Sequence, residues 1–113
     1  MAKKWGCGSA LVLALAAPVY AAAAESFQIP AKLWDRPRSG RSMVAVPAVR
    51  DALNAMLASA ETKLTVRHPP GAEAMLQAEE LRAWLVAHAV EPTRIVLRAD
   101  LPARQALQLE IGR

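Results

Sequence analysis

Lys63-Leu64-Thr65-Val66-Arg67, then His68-Pro69-Pro70-Gly71, then a helical-period run from Ala72 to Ala89, then Glu91-Pro92 and Arg94-Ile95-Val96-Leu97-Arg98: this stretch decides the fold. Its first five residues alternate polar and apolar around a β-branched centre, the pattern of a strand with one buried face. Two consecutive prolines then remove two backbone donors and end it. Between Ala72 and Ala89, the residues Ala74, Ala78, Leu81, Leu85 and Ala89 fall on one helical stripe, with Trp84 and His88 on its flank. Glu73, Glu79, Glu80 and Arg82 take the wetter positions. Such a helix is about 27 Å long at 1.5 Å per residue. Pro92 stops it, because the residue before a proline resists the helical region. Arg94–Arg98 is the next strand. A strand, a long helix and a second strand make a crossover unit, which calls for a sheet covered by helices.

Toward the N-terminus, Pro47 suits the first position of a helix. Val49, Leu53, Met56, Leu57 and Ala60 recur on one face behind it, with Arg50, Asp51 and Asn54 mostly on the other. This predicts a helix from Pro47 to about Ser59, fed by a short strand Met43-Val44-Ala45-Val46. Toward the C-terminus, Asp100 to Ala103 is a short connection, and Leu107-Gln108-Leu109-Glu110-Ile111 alternates as a last strand. The predicted order is β-α-β-α-β-β. Alternating strands leave one polar face, so both helices are expected on one side of a mixed sheet. The expected fold class is an α/β (α+β) two-layer sandwich.

Within the 113 residues, the N-terminus has the three parts of an export signal. Lys3 and Lys4 precede the apolar run Ala10-Leu11-Val12-Leu13-Ala14-Leu15-Ala16-Ala17, Pro18 breaks it, and Tyr20 to Ala24 offers small-residue cleavage frames. The run is shorter than the ~20 apolar residues of a spanning helix. Residues 1–24 are therefore expected to be a cleaved signal helix, with no membrane span after cleavage and a periplasmic destination. Residues 25–42 are expected to be a lead-in loop and residues 43–113 a single domain. Cys7 lies before the apolar run rather than closing it, so it is no lipid-attachment site and leaves with the signal. Lys3 and Lys4 leave too, which brings the 14 basic and 10 acidic residues close to balance. Nucleic-acid binding is not expected, since no basic stripe with stacking aromatics is visible.

The second half of the chain is Glu80-Leu81-Arg82-Ala83-Trp84-Leu85, then Val90-Glu91-Pro92-Thr93-Arg94-Ile95, then Leu107-Gln108-Leu109-Glu110-Ile111. In order and in these positions, residues 43–111 resemble a degenerate OmpA-like periplasmic domain. That family runs strand, helix, strand, helix, strand, strand. Its second helix carries Leu-Ser-x-x-Arg-Ala, and its last strand is Arg-Arg-Val-Glu-Ile-like. The resemblance implies a cell-envelope module that binds peptidoglycan through a helix arginine, matched here by Arg82, and an aspartate after the second strand. The family's Gly-His-Thr-Asp-like turn is replaced in this chain by His68-Pro69-Pro70-Gly71.

Candidate chemistry is sparse. His68 and His88 are the only histidines, too few for a metal site that needs three or four converging ligands. Ser39, Ser42 and Ser59 sit in no nucleophile motif, and no phosphate-binding glycine loop exists. Neither an enzyme nor a cofactor is expected. Glu79 and Glu80 read as a solvated helix face. Arg36, Arg38 and Arg41 cluster beside Trp34, and arginine forks recognise carboxylates and phosphates. That segment reads either as an anion- or partner-binding loop or as a lead-in whose Trp34 packs on the core while its arginines face water. The expected function is a small exported, non-catalytic periplasmic binding module of the cell envelope, with peptidoglycan or an envelope protein as its partner. The alternative is an accessory subunit that docks on an envelope protein through the arginine-rich loop.

Overall fold

The computed structural model describes residues 25–112, so the expected signal segment lies outside the described residues. Four strands form one mixed sheet: β1 (Glu25–Gln28), β2 (Lys63–Arg67), β3 (Ile95–Arg98) and β4 (Gln108–Gly112). Three helices accompany them: α1 (Gly40–Val44), α2 (Pro47–Ala58) and α3 (Ala72–Ala87). Two 3-10 turns, Ala31–Asp35 and Pro92–Arg94, complete the fold. The strand order is β1-β4-β2-β3, with β4 antiparallel to both its neighbours and β2 parallel to β3. The parallel pair requires a crossover, and α3 supplies it.

Register explains the layers. Leu64 lies opposite Ile95 and Ile111, and Val66 opposite Leu97 and Leu109. Phe27 lies opposite Leu109 on the other side. These residues share one face and meet Val49, Ala52, Leu53 and Met56 of α2 and Ala78, Leu81 and Leu85 of α3 in a single core. Thr65, Arg67, Gln108 and Glu110 occupy the alternate positions and leave the opposite face polar. The two-layer α+β sandwich expected from the sequence is the observed class.

Two segments differ in kind from expectation, while the ends of α3, β3 and β4 lie within one or two residues of it. The expected strand Met43–Val46 is instead the end of α1 and the turn into α2. Ser39 and Ser42 decide this: the Ser39 hydroxyl accepts from the Ser42 amide at 3.1 Å, and the Ser42 hydroxyl accepts from the Ser39 amide at 2.8 Å. That reciprocal cap starts a helix before the apolar run begins. Nor is the lead-in simply a loop. It contributes β1, which takes the edge place beside β4, and Ile29, which is wholly buried. The folded unit therefore includes residues 25–42 and does not start at residue 43.

Both long helices end in side-chain or backbone devices. The end of α2 and the turn after it receive the Arg94 guanidinium, which donates to Met56 O at 2.9 Å, Ser59 O at 2.6 Å and Thr62 O at 2.9 Å. α2 carries no basic residue in its own last turn, and Arg94 brings a positive charge to that end from across the chain. At the end of α3, Val90 N donates to Leu85 O at 3.1 Å and Ala89 N to Val86 O at 3.0 Å. This is a Schellman motif, with Ala89 in the left-handed region at φ 79° and buried Val90 and Leu85 beside it.

Candidate functional site

The arginine-rich segment folds onto α3. Arg38 lies 5.2 Å from the centroid of the Trp34 ring and forks onto Glu80, with Nη2 donating to Oε1 at 3.0 Å and Nε to Oε2. Its Nη1 donates to the carbonyls of Arg36 (2.7 Å) and Trp34 (3.3 Å). The Trp84 indole donates to the same carboxylate at 3.0 Å. The Arg38 hydrogen bond is the main influence holding the Glu80 carboxyl below the usual carboxylate range. Partial burial opposes it and Trp84 assists it. The same bond raises Arg38. Glu80 is thus no solvated face residue but the anchor that fastens the lead-in, and Arg38 is already committed to it.

The other expected site residues do not converge. Trp34 forms a wall of one cleft and Arg36 part of another. Arg41 is exposed. Arg82 is half-buried, lines neither cleft, and has no carboxylate within salt-bridge distance among the described residues. The α3 side chains that do face a cleft are Ala72, Glu73, Ala74 and Gln77. The histidines have structural surroundings. His68 is 2% exposed, and its Nδ1 lies 2.8 Å from Pro69 O. Its main chain extends the sheet pairing, donating to Arg98 O and accepting from Leu101 N. His88 caps α3, with Nδ1 2.8 Å from Trp84 O.

The larger cleft, about 580 Å³, opens where β2 turns into α3. Trp34 and Asp35 border it from the 3-10 turn, Pro69 and Glu73 from the corner and first turn of α3, and Arg104 from the loop before β4. The prolines set the corner, and Gly71 at φ 116°, ψ 154° turns the chain into the helix through a region reserved almost wholly for glycine. The first amide groups of α3 have no intrahelical acceptors, and no side chain caps them at the cleft. Two carboxylates, Asp35 and Glu73, thus share the opening with one guanidinium and the positive end of a 16-residue helix. Both signs of charge beside an indole suit a small ligand that carries both an ammonium and a carboxylate. The lining holds no serine, threonine, cysteine or histidine.

None of Asp35, Glu73, Gln77 and Arg104 is a candidate site residue by sequence: Asp35 stands there only as a neighbour of the arginine-rich segment and Glu73 only as a wet helix position. Glu73 had a legible signal, an acid two positions beyond the glycine that opens a helix. Arg104 had none, since its placement depends on a left-handed residue (φ 71°) in a connecting loop. Among the described residues, no group of three or more His, Cys, Asp or Glu side chains converges, and no helix is long and apolar enough to cross a membrane. No protein-family model, curated protein or solved structure matches the chain.

Proposed function

We propose that this protein is a small exported, non-catalytic binding module of the cell envelope. Its ligand would be a peptide fragment that carries both an ammonium and a carboxylate, as the stem peptides of peptidoglycan do. The observation that carries this reading is the cleft at the β2–α3 corner, where Asp35 and Glu73 stand with Arg104 and the start of α3. The resemblance noted in the sequence places a ligand at the turn after the second strand, and the cleft lies at that turn. The turn His68-Pro69-Pro70-Gly71 carries no carboxylate, and Asp35 and Glu73 supply negative charge from neighbouring elements. Ammonium would meet these two acids, and carboxylate would meet Arg104 and the free amides of α3.

Retention on isolated sacculi tests this. Wild-type protein is expected to co-sediment and to be released by free stem peptide. The exposed double variant Asp35→Asn/Glu73→Gln, and separately Arg104→Ala, should each weaken retention about tenfold, a loss of roughly 1.4 kcal/mol. Arg82→Ala should bind like wild type. A wild-type chain that stays in the supernatant would end the proposal.

A further inference from the structure

We infer that the second cleft, between the 3-10 turn and the α1–α2 junction, binds an anionic amphiphile: an apolar chain with one carboxylate or phosphate head. This site is separate from the β2–α3 corner and does not depend on the peptidoglycan reading. Its volume is about 380 Å³, within the range of small-molecule pockets. Pro30, Pro37 and Pro47 form much of its wall, with Leu33 and Val46 between the wall and the core. Prolines fix their own backbone and offer no N–H. The wall is therefore stiff and poor in donors, which suits a ligand whose body asks for no hydrogen bonds. A peptide main chain would find little to pair with.

The polar groups make the choice sharper. Ser42 reaches the cleft, but its hydroxyl is engaged with Ser39 on both sides, accepting from the amide and donating to the carbonyl at 3.1 Å. Lys32 and Arg36 remain, both exposed, and neither enters a salt bridge or side-chain hydrogen bond among the described residues. No carboxylate lines the cleft. The N-terminal end of α2 abuts it and adds the positive end of a helix. An apolar cavity with cations as its only uncommitted polar side chains selects one negative head on an apolar body.

The test uses the purified protein and four twelve-carbon probes below their micellar concentrations: dodecanoate, dodecyl phosphate, dodecyl maltoside and dodecyltrimethylammonium. Calorimetry should show saturable binding of one or both anionic probes, at least about tenfold tighter than the neutral or cationic ones. Amide shifts should centre on Leu33, Ala45 and Val46. The stronger of dodecanoate and dodecyl phosphate then distinguishes a fatty-acid source from a phospholipid one. Lys32→Glu/Arg36→Glu changes only exposed side chains and should weaken the anionic probes about tenfold or more. Ala45→Trp, placed on an exposed lining position, should fill the cleft and abolish binding. Absence of anionic binding up to about 1 mM would overturn the inference. So would equal binding of the neutral probe, or unchanged affinity in the charge-reversal variant.

Discussion

Glu80 accepts hydrogen bonds from Arg38 and from the Trp84 indole, and Arg38 in turn covers Trp34. A carboxyl depressed in the folded state adds stability that is complete above its unfolded value, about 4.3 for glutamate. That stability drains as pH falls through the lower folded value. Melting temperature of the wild type should accordingly drop as pH is taken from about 5 to 3. Glu80→Gln keeps an acceptor for Trp84 but cannot titrate, so it should start lower at neutral pH and show a shallower acid limb. Parallel acid limbs for the two proteins would show that the cluster contributes nothing. At the same scale, Arg94 shows how far a single side chain can act, closing the end of a helix that precedes it by more than thirty residues.

Among the elements, α3 ends on a residue that does not suit its conformation. Ala89 sits where glycine is preferred, and an L-residue in the left-handed region costs roughly 1–2 kcal/mol. Part of that gain is offset because glycine frees the unfolded chain. Ala89→Gly should still raise stability, by about 0.5–1 kcal/mol in denaturant unfolding, with the same slope. How well each element could be read from sequence follows from where its information lies. β2 matched residue for residue because its alternation and its terminating prolines are both local. The starts of α2 at Pro47 and α3 at Ala72 were equally legible. β1 was not, because Glu25-Ser26-Phe27-Gln28 holds one apolar residue, and its partners lie at the far end of the chain. α1 was hidden by its own cap, since Ser39-Gly40-Arg41-Ser42 has the composition of a loop. The α2 stripe expected from the sequence holds at Val49, Leu53 and Met56 but not at its edge. Ala48 and Ala52 are buried where Leu57 had been expected, and Leu57 is 59% exposed. The cleft was the least legible feature, because its charges come from three segments that only the fold brings together.

In the whole molecule, the lead-in belongs to the core rather than to a tether. Ile29 is fully buried, its amide bonds Leu107 O at 2.8 Å, and β1 protects one edge of β4. Ile29→Ala should cost about 2–5 kcal/mol, as other buried large-to-small changes do. A chain begun at Met43 should lose cooperative unfolding by calorimetry. Retention of a sharp transition by that shortened chain would contradict the place given to β1. The pairing of Glu25 with Ile111 also sets a clock. Among the described strands β1 is made first and has no neighbour until β4 emerges, so the sheet stays unfinished until Gln108–Gly112 has left the ribosome. β1 waits as an open edge for the interval that separates the two strands in synthesis, and closing that edge depends on a high-separation contact.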